Sequence, residues 1–277
     1  HAIPWLREQD ASTRDTLVPT KKSLGQHWLK DPDILADIAD AAELTPDDTV
    51  LEIGPGLGTL TSRLLARAGR VVAVEFDGDL ARKLPGQFPG KNLEVIHQDI
   101  LQFDPTNLPK NYKVVANVPY YITGKIISKF SEAANPPSRM VLLVQKEVAQ
   151  RLAANPGAYS LSAVAAQVYH EVSLGAVVPA EFFTPPPKVD SQVVILVRRA
   201  EPLVPTAEQP AFFRLIKAGF AAKRKKLRSS LAGGLHLEKT AVEQLLADAG
   251  VPESARAEDL SIAQWLTLLC KYDIMER

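Results

Sequence analysis

The sequence predicts an α/β protein with a mostly parallel, doubly wound sheet and a smaller all-α domain at its C-terminal end. Three observations predict this fold: short apolar runs alternate with helical patterns, a glycine-rich loop follows the first run, and only helical patterns occur from Glu201 onward. Continuous apolar runs are typical of buried parallel strands, and their alternation with helices is typical of α/β sheets. The predicted parallel strands are Thr49–Ile53, Val71–Glu75, Leu93–His97, Tyr112–Asn117 and Met140–Val144.

Local signals predict the elements around these strands. Asp31 and Pro32 have the pattern of an N-cap and a first helical residue, and the apolar spacing after them predicts a helix over residues 32–43. Two further β-rich stretches, Tyr169–Val178 and Gln192–Val197, predict an antiparallel hairpin at the sheet edge. The sheet is therefore expected to contain seven strands.

Composition shifts divide the chain into three parts. Residues 1–20 mix charge, proline and threonine without periodicity, which predicts a flexible N-terminal arm. A series of prolines after residue 200 separates the β-rich part from the helical part. We therefore expect one domain at residues 21–203 and a second, helical domain at residues 204–277.

The overall composition is that of an ordinary globular protein. The chain has 277 residues, 46% hydrophobic content and a formal net charge of +0. No apolar run approaches the roughly 20 residues that cross a bilayer, and no segment has the pattern of a secretory signal. We therefore expect a cytoplasmic monomer with no membrane partner and no bound metal. The single cysteine, Cys270, lies in an apolar run and is expected to fill a helix core.

A glycine-rich loop ends the first predicted strand and opens a helix at Thr59. Its glycines allow a tight turn and a close approach of a ligand to the backbone. The dinucleotide fingerprint would require a glycine at position 59, whereas the spacing of Gly54, Gly56 and Gly58 is the one associated with S-adenosylmethionine. For the loop alone, a plain strand-to-helix turn is the alternative interpretation.

Two acids stand where the next two predicted strands end. Glu75 ends the second strand, where a carboxylate can accept hydrogen bonds from both hydroxyls of a ribose. Asp99 follows the third strand and is placed to bind the amine of the cofactor's adenine. Either acid alone could be a solvated strand end or a helix cap. Because ligands bind at the carboxyl edge of open α/β sheets, the loop and the two acids together predict a nucleoside cofactor.

The stretch Asn117–Tyr120 ends the fourth predicted strand with the pattern Asn-x-Pro-Tyr. The exocyclic amine of adenine is a poor nucleophile, so an enzyme that methylates it must accept its two hydrogens. The side-chain oxygen of Asn117 and a backbone carbonyl beside Pro119 could accept them, while the Tyr120 ring could stack on the base. We expect Phe183 or Phe182 on the other face. A simple turn is the alternative for the tetrapeptide, and ordinary loop packing for the phenylalanines.

A local excess of positive charge lies in the predicted helical domain. Residues 211–235 contain seven positive charges and no acidic residue, although the whole chain is neutral. Such a patch is typical of a surface that binds the phosphates of a nucleic acid, although many charge runs only form a solvated helix face. We expect RNA binding by a helix near the domain junction that carries Lys223, Arg224, Lys225, Lys226 and Arg228.

Six motifs follow one another along the chain: Lys22–Leu29, Leu51–Gly58, Val74–Glu75, Gln98–Asp99, Asn117–Tyr120 and Phe182–Ser191. In this order, they resemble the motifs of the ribosomal RNA adenine dimethyltransferases, and most of all those of the bacterial small-subunit enzymes. The resemblance implies a Rossmann-like class I methyltransferase domain, a small helical domain and S-adenosylmethionine as methyl donor. It also implies dimethylation of two adjacent adenosines in the 3′-terminal hairpin of small-subunit rRNA, within an immature small subunit.

The resemblance also assigns residues to the cofactor. They are His27, Leu29, Gly54, Glu75, Asp99 and Asn117. The family usually has asparagine where this chain has His27, so a turn-forming role for that residue is an alternative. For the whole chain, two other functions are open: methylation of large-subunit rRNA of the macrolide-resistance type, and a non-catalytic role in ribosome assembly or transcription.

Overall fold

The computed structural model describes residues 26–277, apart from the side chain of Tyr120. The predicted arm at residues 1–20 and the segment Lys22–Gly25 lie outside the described residues. The strands are β1 (Trp28–Leu29), β2 (Thr49–Ile53), β3 (Arg70–Glu75), β4 (Leu93–His97), β5 (Lys113–Asn117), β6 (Arg139–Gln145), β7 (His170–Val178), β8 (Phe183–Thr184) and β9 (Ser191–Arg198).

The α-helices lie between these strands and after the last of them. They are α1 (Pro32–Ala41), α2 (Thr59–Leu65), α3 (Gly78–Lys83), α4 (Thr123–Glu132), α5 (Lys146–Leu152), α6 (Leu161–Tyr169), α7 (Gln209–Phe220), α8 (Leu227–Leu235), α9 (Lys239–Asp248) and α10 (Ile262–Met275). The N-terminus of α1 is capped as predicted, because the Asp31 carboxylate accepts the backbone N–H groups of Asp33 and Ile34, both at 3.0 Å.

Seven strands form one sheet in the order β4-β3-β2-β5-β6-β9-β7. The pairs from β4 through β6 are parallel, and β9 pairs with β6 in the antiparallel direction. Strands β3 and β4 lie on one side of β2, and β5 lies on the other side, so the strand order reverses between β2 and β5. This place is called the reversal point below. A ligand site is expected at such a reversal, outside the carboxyl ends of the strands. The predicted mostly parallel, seven-stranded sheet is confirmed.

The predicted hairpin differs in detail from the structure. Tyr169 ends helix α6, and the strand begins one residue later at His170. The outermost strand is β7, while β9 lies between β7 and β6. Helix α6 was not predicted, because its residues are apolar on nearly every side and give no helical spacing: seven of its nine residues are buried.

The core is built from apolar residues on the sheet and on the helices beside it. Val50, Val115 and Val141 on neighbouring strands belong to one buried cluster with Leu29 and Phe183. Those last two residues come from β1 and β8, which pair with each other in a separate two-stranded sheet. The core cluster therefore contains residues from the beginning of the described chain and from β8, more than 150 residues later.

The chain forms two compact units. One consists of the described residues up to Gln150 together with Glu171–Arg198, and the other of Arg151–His170 together with Arg199–Arg277. The second unit is entirely helical apart from irregular connections and His170, as expected for the C-terminal part. The units differ from the predicted division at residues 203 and 204 mainly because Arg151–His170 groups with the C-terminal helices.

Helix α10 shows why Cys270 does not fill a helix core. The buried side of α10 consists of Ile262, Trp265, Leu268 and Leu269. Cys270 follows Leu269 by one residue, which turns it about 100° around the helix. Its side chain is exposed, so the prediction of a core position was wrong.

No helix in residues 26–277 is both long and apolar enough to span a membrane.

Candidate active site at the carboxyl edge of the sheet

The glycine loop follows β2 at the centre of the sheet and requires glycine for its backbone conformation. Gly54, Gly56 and Gly58 have φ angles of +68°, +57° and +84°, all in the left-handed region. A side chain at Gly58 would lie 2.7 Å from the Leu84 side chain, so that position is also sterically closed. Helix α2 begins at Thr59 directly after Gly58, as predicted. The loop is therefore a tight turn in which Gly54 is exposed, while Gly56 and Gly58 are buried.

Trp28, which was not predicted as a site residue, packs on this loop. A Cβ atom at Gly56 would lie 2.5 Å from the Trp28 ring, so only glycine fits beneath it. Trp28 belongs to β1, whose pairing with β8 places Trp28 opposite Thr184. No local signal could have found this contact, because it depends on pairing between distant segments.

The cofactor residues predicted on the N-terminal segment lie beside the loop. Leu29 is buried, and its carbonyl oxygen accepts a hydrogen bond of 3.0 Å from the Thr59 hydroxyl at the start of α2. The Nδ1 atom of His27 lies 2.5 Å from the carbonyl oxygen of Pro185. The His27 ring therefore donates to the loop after β8. This bond gives His27 a structural role, and any contact with a cofactor stays a prediction.

Glu75 connects the end of β3 to the glycine loop. Its side chain is 7% exposed. One carboxylate oxygen accepts the backbone N–H of Gly56 at 2.9 Å, and the other accepts that of Asp77 at 2.9 Å. Each oxygen keeps a second lone pair, so the carboxylate is held in one orientation and can still accept hydroxyl donors. This arrangement fits the predicted ribose contact.

A second acid, Glu52 in β2, lies beneath the same loop and was not predicted as a site residue. It is 1% exposed, and the Thr61 hydroxyl donates to its Oε1 at 2.5 Å. Burial raises the pKa of Glu52 to about 8, with a smaller upward contribution from the negative charge of Glu75 and an opposing effect of the Thr61 hydrogen bond. Glu52 is therefore largely protonated at neutral pH.

Asp99 and Phe76 lie after neighbouring strands of the sheet. Asp99 is half-buried after β4, and its carboxylate accepts the backbone N–H of Leu101 at 3.0 Å as the cap of a short 3-10 helix. The side chain of Phe76, directly after Glu75, is 61% exposed. A large exposed aromatic ring beside the acid predicted to bind ribose offers a flat apolar surface to a nucleoside. The sequence analysis missed Phe76 because one aromatic residue after a strand carries no spacing signal.

The stretch Asn117–Tyr120 lies across the reversal point from the glycine loop. Asn117 is the exposed last residue of β5, and its carbonyl oxygen is 3.9 Å from the place of a Cβ atom at Gly54. The backbone N–H of Val118 donates to Leu143 in β6 at 3.0 Å. The Pro119 carbonyl accepts the backbone N–H of Ile122 at 3.2 Å. Tyr120 begins the 3-10 helix Tyr120–Ile122.

The two phenylalanines considered for the target base differ in accessibility. The Phe183 side chain is 4% exposed and packs in the core cluster, whereas Phe182 is 39% exposed. In this conformation Phe183 therefore offers no free face to a base, contrary to its predicted stacking role. Its side chain anchors β8 because it lies on the inner face of that strand, a placement that two adjacent phenylalanines in a sequence do not reveal.

The basic residues of the C-terminal part do not lie on a helix as predicted. Lys223, Arg224, Lys225 and Lys226 are exposed in the turn between α7 and α8, and Lys226 is the N-cap of α8. Arg228 lies on α8 but forms ion pairs of 3.1 Å with Glu243 and 3.5 Å with Glu253. The turn therefore offers four accessible positive charges, while Arg228 is engaged within the protein.

These features define a class I methyltransferase: a seven-stranded, mostly parallel sheet in which β9 is antiparallel to β6, a glycine loop after β2 and an acid after β3. The model of the ribosomal RNA adenine dimethylase family matches residues 19–273, so the chain belongs to that family. The predicted resemblance to this family and the predicted class of enzyme, an rRNA adenine dimethyltransferase, are confirmed.

The chain is similar to curated proteins named ribosomal RNA small subunit methyltransferase A. The protein from Dehalococcoides mccartyi strain BAV1 is 43% identical over 258 residues, which cover 91% of this chain and 88% of that protein. The protein from Geobacillus kaustophilus is 40% identical over 261 residues, which cover 90% and 89% of the two chains. Both alignments include both compact units.

Two solved structures have the same fold over most of the chain. The 23S rRNA methyltransferase ErmE is 33% identical with a TM-score of 0.74, over 89% of this chain and 99% of that one. A dimethyladenosine transferase from Plasmodium falciparum is 27% identical with a TM-score of 0.77, over 90% of this chain and 98% of that one.

The residues of the site fit S-adenosylmethionine, the methyl donor of this class. Gly54 is exposed at the start of the loop, the Glu75 carboxylate is fixed in orientation, and Asp99 and Phe76 follow the adjoining strands. Among residues 26–277, no group of three His, Cys, Asp or Glu side chains could hold a metal ion.

Proposed function

We propose that this enzyme dimethylates the exocyclic amines of two adjacent adenosines in the 3′-terminal hairpin of small-subunit rRNA. We further propose that it acts in the cytoplasm as a monomer, on an immature small ribosomal subunit. The observation that carries the proposal is the position of Asn117 across the reversal point from a glycine loop bound by Glu75. The names of the curated relatives support the small-subunit substrate.

The reaction is a direct displacement. When bound, S-adenosylmethionine supplies an electrophilic methyl group on a positively charged sulfur. Gly54, Glu75 and Asp99 would hold this cofactor, and transfer of its methyl group to the amine nitrogen would release a neutral thioether and a proton from the amine to water. The leaving group is neutral and the alkylated amine is acidic, so the reaction requires no strong base and no metal. Catalysis therefore depends on orientation and on acceptors that face the developing positive charge.

Asn117 supplies the first of these acceptors. Its side chain is exposed at the end of a buried strand, so its amide oxygen can accept a hydrogen from the amine without a large movement of the backbone. Because Ile122 already donates to the Pro119 carbonyl, we assign the second acceptor to the Val118 carbonyl. Pro119 fixes the backbone between them. The ring of Tyr120 stacks on the base, and the accessible ring of Phe182 replaces Phe183 as the candidate for the opposite face.

The exposed turn Lys223–Lys226 holds the RNA backbone. Four adjacent positive charges without a neighbouring acid attract phosphates, and such contacts position RNA without reading its bases. Target choice then comes from the shape of the RNA and from the adenine that leaves its stack. Arg228 is left out of this surface because it pairs with Glu243.

Methylation of large-subunit rRNA is the second candidate function. It is favoured by the similarity to the 23S rRNA methyltransferase ErmE, at a TM-score of 0.74. Small-subunit methylation is better supported because curated relatives with that name align with both compact units at 40% identity or more. A purely structural assembly factor or transcription partner would have no need for Asn117 and the cofactor residues together.

The test is to incubate the protein with labelled S-adenosylmethionine and ribosomal subunits from cells that lack this modification. We expect label in small subunits only, and nuclease mapping should place it as dimethyladenosine on two adjacent adenosines. Asn117→Ala is expected to abolish the label, and Asn107→Ala is its matched control, since Asn107 is also exposed and lies in the 3-10 helix Pro105–Asn107, outside the proposed site. Label in large subunits would favour the second candidate. Cofactor binding without any methylated RNA would overturn both.

A further inference from the structure

A cleft of about 420 Å³ lies beside the acceptor stretch, in the same compact unit. Gln145 at the end of β6 lines it, two residues after Leu143, whose carbonyl oxygen accepts the backbone N–H of Val118. Two residues of a strand span roughly 7 Å, and alternate residues point to the same face. The cleft therefore begins about one nucleotide's reach from the proposed position of the target base.

Two segments that the structure joins by backbone hydrogen bonds form the walls. One is the start of α5, and the other is the loop before β9 that contains Lys188 and Asp190. The backbone N–H of Lys146 donates to the Asp190 carbonyl at 3.0 Å, and the Asp190 carboxylate accepts the backbone N–H of Ala180 at 2.9 Å. The first bond joins the two walls and the second fixes the loop to the 3-10 helix Ala180–Phe182, so the cleft is a preformed feature of the unit.

The chemistry of the lining suits a nucleotide better than a simple anion. Lys146 and Lys188 line the cleft, and neither ammonium group bonds to another residue among those described, whereas Lys113 on β5 and Arg139 on β6 are ion-paired. Glu147 and Asp190 also line the cleft, and their carboxylates reduce the attraction for a bare anion. A nucleotide offers a phosphate to the lysines and a hydrogen-bonding base edge to the amides of Gln145 and Gln150, which also line the cleft.

We propose that this cleft binds the nucleotide next to the target adenosine, with its phosphate at Lys146 and Lys188 and its base at Gln145 and Gln150. The inference rests on the proposed function. Because the cleft lies to one side of Asn117, it receives a different neighbour when each of the two adjacent adenosines is the target. The two methylation sites should therefore respond unequally to changes in the cleft.

The first test replaces the lysines. We expect Lys146→Ala with Lys188→Ala to weaken binding to undermethylated small subunits about tenfold and to reduce the slope of log affinity against log salt by about 1.4, which corresponds to two contacts with single-stranded RNA. Cofactor affinity should not change. The control is Lys91→Ala with Lys110→Ala, two exposed lysines of the same unit. Unchanged affinity and slope would overturn the proposal, as would weaker binding to whole subunits but not to isolated rRNA, which would indicate a protein contact.

The second test addresses the base. Small subunits are prepared in which one or the other of the two adenosines is replaced by uridine, and the methylation rate of the remaining adenosine is measured. With the unaltered protein we expect one replacement to slow the reaction at least fivefold more than the other. With Gln145→Ala and Gln150→Ala this difference should disappear. If it persists, the cleft does not read the neighbouring base. If the unaltered protein methylates no rRNA, the proposed function and this inference are both wrong.

Discussion

The cofactor side and the acceptor side of the site are held in different ways. On the cofactor side, three glycines have positive φ angles, Trp28 covers one of them, and the Glu75 carboxylate binds two backbone N–H groups. On the acceptor side, Asn117 and Phe182 are exposed at the ends of their elements. From this difference we expect that the protein alone fixes the proposed cofactor residues, whereas the RNA completes the proposed acceptor site when it binds.

The two sides should therefore respond differently to substitution. A change on the cofactor side should alter both the free energy of unfolding and the affinity for S-adenosylmethionine, because the same contacts serve both. A change on the acceptor side should alter the rate of methyl transfer and leave the stability nearly unchanged. A change on a surface that only contacts RNA should alter the affinity for RNA and the salt dependence of that binding.

The largest combined effect is expected for Gly56→Ala. A left-handed backbone costs about 1–2 kcal/mol for a residue other than glycine, and the new methyl group would also lie 2.5 Å from the Trp28 ring. We expect the free energy of unfolding to fall by at least about 2 kcal/mol and the dissociation constant for S-adenosylmethionine to rise more than tenfold. Urea unfolding and calorimetric titration measure the two quantities.

Gly90→Ala is the matched control for this substitution. Gly90 has a φ of +73° but no atom within 4 Å of its Cβ position, so it carries the backbone cost without the clash. Its cofactor affinity should equal that of the unaltered protein. If both substitutions have the same effect on stability and on cofactor binding, the packing of Trp28 on the loop does not order the site.

The next effect concerns the basic turn. Reversing three charges with Lys223→Glu, Arg224→Glu and Lys225→Glu should weaken RNA binding at least tenfold and reduce the salt slope by about 2, since each contact with single-stranded RNA contributes about 0.7. Methyl transfer at saturating RNA should be preserved. The control places the same three reversals at exposed Lys91, Lys110 and Lys239. If the two triple variants bind RNA equally, the effect is only one of net charge.

The smallest effect is a change of stability with pH that depends on Glu52. Its pKa is raised by burial from the usual 4.5 to about 8, so the folded protein binds more protons than the unfolded chain between these values. The contribution of Glu52 to stability is therefore complete below about pH 4.5, falls as the pH rises and is lost above about pH 8. Urea unfolding from pH 5.5 to 8.5 should show a weaker decline for Glu52→Gln. An identical decline in both proteins would contradict the raised pKa.

The sequence predicted what depends on local pattern. The strands Thr49–Ile53 and Leu93–His97 have the predicted bounds, because a short β-rich run between turn residues marks a strand in the buried centre of the sheet and at its edge alike. The glycine spacing and the acid Glu75 were found for the same reason, since a tight turn and a strand end leave a mark within a few residues. These marks are enough to predict the sheet and the cofactor side.

What the sequence did not predict depends on contacts between distant segments. Trp28 lies on Gly56 only because β1 pairs with β8, and the same pairing buries Phe183. Lysine and arginine are good helix formers, yet Lys223–Lys226 lies in a turn, because the packing of α7 and α8 decides where those helices end. Local propensity was therefore overruled by tertiary packing at these positions.

The most direct test of the account is a single-turnover measurement with Asn117→Ala. With cofactor and undermethylated small subunits both at saturation, we expect the rate of methyl transfer to fall at least 100-fold, because one preorganised acceptor for the amine is lost. The free energy of unfolding should change by less than about 0.5 kcal/mol, as for an exposed residue. A rate equal to that of the unaltered protein would contradict the assignment of Asn117–Tyr120 as the amine-binding site.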